Sequence, residues 1–499
     1  MPFLVGRGDA DRRPEMFASI SDRYRQREGQ DEQSARTIGA RRATEIAESG
    51  ALVEHARRPS PPVRFGLQGQ AGLICAGRPG QSKLLEEMSR PLRSERAVLP
   101  PRTDLRTRRE RVVARALLQG LDLYERLKSR TLVDVTHPSE DPFYCEPEDV
   151  DAFRPGEVLD TRPIEVRALR HVIRADAWQV KFRSTDTCST AVCGVSTVMI
   201  PRRPFSGPVR PLLSYQCAID SLSALDDPSY TLRHGDQIEL SLIALALRRG
   251  WAVATTDYNG PRHAFAAGSL AARFVLDGIR AVVACGPAGI AAATPVGLWG
   301  YSGGAQATLC AAELQLRYAA VLNIVGVAAG GLTVDPTTTA RTFEDAYDGS
   351  IMSGIPLGGV IGVSREHPEV DLRGGLNPQG QAMVAAAADM TMTQLALTFP
   401  FLHWAEYLTV PNVLDIPGLR AAFEANRFGQ AAPAAPLYLY HGVLEQNLPI
   451  AEADEYVAAY RRMGADVAYR RIRFGEHVSS AAIGAPGALR FLSERFGTP

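Results

Sequence analysis

A mostly parallel α/β sheet, covered by helices and interrupted by an inserted helical cap, is the fold this 499-residue chain predicts. Three observations carry that expectation. From about residue 178 short apolar, β-branched runs alternate with segments of helical spacing. The alternation lapses between about residues 331 and 433, then resumes. One apolar run, Pro295-Val296-Gly297-Leu298-Trp299, leads straight into Gly300-Tyr301-Ser302-Gly303-Gly304, and small residues follow as a helix. Strands alternating with helices need crossover connections, so neighbouring strands run parallel with both faces covered.

Taken in order, 178–184, 191–201 and the short apolar stretch 211–216 read as strands. Residues 237–249 carry Ile238, Leu242, Leu245 and Leu247 at helical spacing and stop at Gly250. Strand 251–258, helix 270–284, strand 295–299 and the β-branched run 323–329 follow. Strands 437–440 and 467–472, with helices 451–462 and 488–496, complete the set. The intervening stretch holds Gly-rich pieces (354–359), apolar helical pieces (383–397) and the cluster Phe399-Pro400-Phe401-Leu402-His403-Trp404. A long insertion without strands is a cap or lid, expected at about 332–432, and its apolar content suits an acyl-chain pocket.

The first quarter has a different texture. Residues 1–130 hold 24 of the 52 arginines, with Pro-rich breaks at 59–62 and 100–101 and no long apolar run. Such a segment buries too little to offset its ordering entropy. Residues 1–137 are therefore expected to be a poorly ordered extension ahead of a folded domain over 138–499. One stretch within it, 108–128, has amphipathic helical spacing, with Val112, Leu117, Leu121, Tyr124 and Leu127 near one face. It reads as a basic arm, an anionic-membrane helix or simply part of the extension.

Bulk properties exclude several classes. Lys plus Arg equals Asp plus Glu at 55 each, and a net charge of zero argues against nucleic acid as the main partner. No stretch reaches the length of a membrane span. The start Met1-Pro2-Phe3-Leu4-Val5 turns charged without an h-region or cleavage site, so no signal peptide is expected as written. The seven cysteines include no C-x-x-C pair, and Cys188 and Cys193 have no nearby histidine, so no metal site is expected. Their odd number favours reduced thiols.

The pentapeptide around Ser302 carries chemistry. A G-x-S-x-G turn between strand and helix presents a serine hydroxyl above a sheet, and its glycines lie where backbones approach too closely for side chains. The helix N-terminus that follows offers free N–H groups to an oxyanion. A serine nucleophile needs a base and an acid, which in the α/β-hydrolase arrangement follow it in the order acid, then histidine. Glu445 is the only carboxylate in the loop after strand 437–440, and it would fix the histidine tautomer. His477 follows strand 467–472 and is the only histidine beyond His441. His441 at a strand end reads as structural, and Glu476 as solvent-facing. One oxyanion N–H falls on Gly303. The other falls in the turn 214–221, where geometry leaves the donor open.

Several further motifs appear in order: Ser214-Tyr215-Gln216 with Asp220, Asp257-Tyr258-Asn259-Gly260-Pro261, Leu276-Asp277-Gly278-Ile279-Arg280-Ala281, the elbow with Ala305, and Asn323-Ile324-Val325-Gly326. With these the chain resembles the secretory lipase family, typified by fungal lipase A, from about residue 141 to near its end. The resemblance implies an α/β-hydrolase with a helical cap, cleaving acylglycerols and related esters without a cofactor or metal. It places the nucleophile on Ser302, the acid on Glu445 and the histidine on His477. It also selects Asp220 as the partner of Gly303 in the oxyanion hole. The family's acid is usually aspartate; glutamate is one methylene longer. Asp226 and Asp227 stand where secreted members carry a half-cystine, and the 22 residues after His477 leave no fungal-type flap, which predicts a more open pocket. The expected partners are a lipid or small acyl ester and, peripherally, a lipid surface. Family members are mostly exported. Competing readings are acyl transfer to an alcohol through the same acyl-enzyme and a non-catalytic lipid-binding relative.

Overall fold

The computed structural model describes residues 107–332, 351–445 and 448–498, all within the compact unit Ala71–Pro499. Expectations for 1–106 and for cap residues 333–350 lie outside the described residues.

The strands are β1 (Val158–Ile164), β2 (Arg167–Ala168), β3 (His171–Val172), β4 (Ala175–Thr185), β5 (Ala191–Pro201), β6 (Leu212–Gln216), β7 (Ala252–Thr256), β8 (Val296–Tyr301), β9 (Ile324–Gly330), β10 (Leu437–Gly442) and β11 (Val467–Ile472). β2 and β3 form a small antiparallel hairpin. The other nine make one sheet in the order β1-β4-β5-β7-β6-β8-β9-β10-β11. β1, β4 and β5 pair antiparallel at one side, and β5 pairs antiparallel with β7. From β7 to β11 every pairing is parallel. This is the α/β-hydrolase sheet. Within this sheet β1 is the strand that periodicity misses, as it also misses the short β2 and β3. Its Asp160, Arg162 and Pro163 suit an edge, where one side of the backbone needs no ladder partner.

The helices are α1 (Arg108–Thr131), α2 (Pro228–His234), α3 (Leu240–Arg248), α4 (Gly268–Cys285), α5 (Gly303–Tyr318), α6 (Gly354–Glu366), α7 (Pro378–Ala387), α8 (Met392–Thr398), α9 (Leu419–Ala425), α10 (Ile450–Arg462) and α11 (His477–Phe496). Strand side chains alternate between two buried layers, as a pleated sheet covered on both faces requires. Ala254, Leu298 and Val327 face α4, α5 and α10; Val253, Trp299 and Ala328 face α3 and α11. Trp299 meets Tyr215 edge-on at 5.2 Å, and its indole N–H donates to Tyr440 Oη at 3.1 Å.

Between β9 and β10, helices α6 to α9 form a separate apolar cluster. The apolar piece at 383–397 is two helices, because Ala388–Met390 turns the chain before Thr391 starts α8 with a capping box. Phe399, Leu402 and Trp404 are buried inside this cluster. Within the N-terminal segment, residues 107–131 are a capped helix: Thr107 and Glu110 close a capping box, and α1 packs on α8. The thiol expectation needs correction. Cys145 is disulfide-bonded, whereas Cys188, Cys193, Cys217, Cys285 and Cys310 are free. Pairing follows spatial proximity, which the parity of a count does not report.

Candidate active site

Parallel register gathers the site at the carboxyl ends of the strands, the usual place for a ligand in an open α/β sheet. Gln216 at the end of β6 pairs with Gly300 on β8, so the turn that leaves β6 lies beside the elbow. Tyr301 pairs with Gly330 on β9, and the Ser302 N–H donates to the Gly330 carbonyl at 2.9 Å. β10 and β11 end together, Gly442 opposite Ile472, and release the loop that carries Glu445 and the loop that leads into His477.

Ser302 has φ 54° and ψ −123°, a conformation that side chains rarely adopt. The crowding behind it explains why it tolerates this strain. A Cβ on Gly300 would lie 2.1 Å from the Gly304 carbonyl oxygen, and one on Gly304 would lie 2.0 Å from the Gln216 carbonyl oxygen. Strand β6, strand β8 and helix α5 thus touch backbone to backbone, and the turn has no room to relax. Gly304→Ala should therefore cost about 2 kcal/mol or more, because the obstruction is a strand backbone and not a movable side chain. Denaturant unfolding checks this; unchanged stability would show that α5 slides away freely.

Ser302, His477 and Glu445, distant in sequence, form one line. The Ser302 hydroxyl donates to His477 Nε2 at 2.9 Å, and His477 Nδ1–H donates to Glu445 Oε2 at 2.7 Å. The Glu445 side chain is fully buried, while His477 retains some exposure. Burial disfavours the imidazolium, but the hydrogen bond and charge of Glu445, helped by Asp220 and Glu476, outweigh it and raise the His477 pKa above its ordinary value. His477 is the first residue of α11, which starts eleven residues earlier than the expected 488–496. Glu476 faces solvent, as expected, and has a second role that the sequence reading did not assign. It caps that helix, accepting the Val478 and Ser479 N–H groups, and these bonds hold its carboxyl below its usual pKa.

Asp220 and Gly303 are also brought together. A Cβ on Gly303 would fall 2.0 Å from Asp220 Oδ1. Neither backbone N–H has a hydrogen-bond partner among the described residues. Their neighbours, in contrast, are tied down. Tyr258 Oη donates to the Cys217 carbonyl at 2.6 Å and accepts from Ile219 N–H at 3.1 Å. Asn259 Nδ2 donates to the Ile219 carbonyl at 2.8 Å, and Ala218 N–H donates to Glu239 at 2.6 Å. Burial pushes the Glu239 carboxyl up to about 7 and the Asp220 carboxyl up to about 6. A small, mostly apolar cavity opens here, bordered by Asp220, Gly303, Tyr258, Phe265, Ala267 and Gln306.

Sequence reasoning missed the braces. Tyr301 is visible in the sequence only as the variable position of the elbow, yet its hydroxyl donates to the His477 carbonyl and holds the His477 backbone. His441 is buried and structural: Nδ1 accepts from Leu332 N–H at 3.1 Å, and Nε2–H donates to the Leu448 carbonyl at 2.8 Å, across the base of the Glu445 loop. Among the described residues no cluster of His, Cys, Asp and Glu is arranged to hold a metal ion.

Comparison with known proteins gives the family. The model of the secretory lipase family matches residues 227–499. A Mycobacterium tuberculosis protein named probable inactive lipase MT1628 is 33% identical over 371 residues, covering 72% of this chain and 82% of its own. Lipase A of Arthroderma benhamiae is 34% identical over 379 residues, covering 72% and 79%. Among solved structures, Candida antarctica lipase A in its closed state superposes with a TM-score of 0.67 at 29% identity, covering 74% of this chain and 88% of that one. The chain belongs to the secretory lipase family, carboxylic ester hydrolases on the α/β-hydrolase fold.

Proposed function

We propose that this chain is an active serine ester hydrolase that cleaves acylglycerols or related acyl esters through an acyl-enzyme on Ser302. The observation that carries the reading is the unbroken hydrogen-bonded line Ser302–His477–Glu445 beside two unpartnered N–H groups. His477 Nε2 takes the hydroxyl proton as Ser302 Oγ attacks the ester carbonyl. The N–H groups of Asp220 and Gly303 stabilise the tetrahedral oxyanion. His477 then protonates the departing alcohol, and a water activated by the same base releases the acid. The cavity beside Gly303 gives the acyl group an apolar surface next to the oxyanion site.

One relative is named a probable inactive lipase, so activity itself is the test. The purified chain should hydrolyse p-nitrophenyl esters across a chain-length series and react covalently with a fluorophosphonate serine probe. An enzyme inert to both the esters and the probe would refute the reading and leave a lipid-binding relative.

The pH dependence follows from His477. Only its neutral form accepts the proton, so kcat/KM should climb with pH and level off above the raised His477 pKa, beyond the ordinary value of about 6.5. Asp220→Asn keeps the backbone N–H but removes a negative charge that favours the imidazolium. Its acidic limb should move to lower pH. An unmoved limb would mean that His477 does not feel this carboxylate.

A further inference from the structure

We propose that α1 is a lipid-docking helix whose outer face lies on an anionic lipid surface. The inference is independent of the catalytic reading and concerns a segment that the family match, residues 227–499, does not include. A helix that packs on a domain ordinarily shows polar residues outward. Helix α1 is apolar on two sides. Its inner side, with Ala114 buried and Val113, Leu117, Leu118 and Leu121 half-buried, packs on cap helix α8. Lys128 fastens its far end to Asp236 at 2.6 Å. Its outer side exposes Val112 (61%), Leu123 (56%) and Leu127 (49%), with Tyr124 (42%) at the border. The intervals from Val112 to Leu123 and Leu127 are three and about four helical turns, so these side chains make one stripe.

Charge selects the occupant. Arg108, Arg115 and Arg126 repeat at intervals that keep them along one border of the stripe, while Arg109 and Arg130 flank its ends. All five are exposed, and none makes an ion pair among the described residues. Glu110, Asp122 and Glu125 are the acidic residues of the helix, and Glu110 is engaged in the N-terminal capping box. An apolar stripe bordered by arginines matches the acyl boundary and anionic headgroups of a lipid surface. The β2–β3 hairpin adds to it. Arg170 donates to the Arg130 carbonyl at 2.8 Å, and the hairpin exposes Leu169 (56%) and Val172 (41%) beside the end of α1.

The test uses the full chain and sedimentation with phosphatidylcholine vesicles, with and without phosphatidylglycerol. Binding should be at least about tenfold stronger to the anionic vesicles and should fall as salt shortens the screening length. A Leu123→Glu, Leu127→Glu double variant should lose about tenfold or more of that binding. An Arg115→Gln, Arg126→Gln double variant should lose the preference for phosphatidylglycerol. Both should keep wild-type thermal unfolding and wild-type hydrolysis of a soluble ester. No vesicle binding, equal binding to both vesicles, or binding untouched by either variant would overturn the proposal. So would a concentration-dependent dimer that the leucine variant abolishes in the absence of lipid, since the stripe would then face a second copy.

Discussion

Ser302→Ala should remove ester hydrolysis by a factor on the order of 10⁵–10⁶ while the protein folds normally. In the proposed mechanism the hydroxyl is the one group in the relay that forms a covalent bond, so its loss would leave only the oxyanion donors and binding to act on the substrate. The fold does not depend on it. The backbone bonds of residue 302, N–H to the Gly330 carbonyl and carbonyl to Ala305 N–H, survive the substitution. A second variant separates chemistry from conformation. Because φ 54° with ψ −123° suits glycine, Ser302→Gly should be as inactive as the alanine variant and more stable than wild type, by about 1–2 kcal/mol. Hydrolysis of a soluble ester and denaturant unfolding check both halves. A catalytically competent alanine variant would show that Ser302 is not the nucleophile. A glycine variant no more stable than wild type would show that the elbow stores no strain.

Those residues were legible in the sequence because each follows a strand of its own. Ser302 follows β8, Glu445 follows β10 and His477 follows β11, so element order, set against the α/β-hydrolase arrangement, placed them at the carboxyl ends of the parallel strands. What stayed hidden is what holds them. Tyr258, Asn259 and Glu239 brace the oxyanion turn from outside it, and no periodicity announces a side chain that reaches across a sheet. The early start of α11 was masked by Gly484, Pro486 and Gly487, all poor helix formers; tertiary burial of Leu489 and Leu492 and the Glu476 cap override them. The cap was legible as an interruption but not in its interior, because an apolar segment reads the same whether it lines a pocket or fills a core. Phe399, Leu402 and Trp404 fill the core.

Glu445→Gln should cost about four orders of magnitude in kcat with KM little changed, a larger loss than its distance from the reacting carbon suggests. The native carboxylate accepts from Nδ1–H, which leaves Nε2 bare and facing the Ser302 hydroxyl. An amide there can donate to Nδ1 instead, and the proton then sits on Nε2, where it blocks the abstraction that starts the reaction. The buried carboxylate also favours the imidazolium formed during attack, and glutamine carries no charge to do so. Glu445→Asp asks a different question. It retains the charge and restores the family's usual acid but shortens the arm by one methylene, so the 2.7 Å contact stretches unless the loop follows. Activity intermediate between wild type and the glutamine variant is expected, with the acidic limb of kcat/KM moved down because the weakened contact raises the His477 pKa less. Steady-state kinetics across pH measure both effects. If the glutamine variant turned over within tenfold of wild type, Glu445 would be a buried structural carboxylate, and the tautomer of His477 would be held by something else.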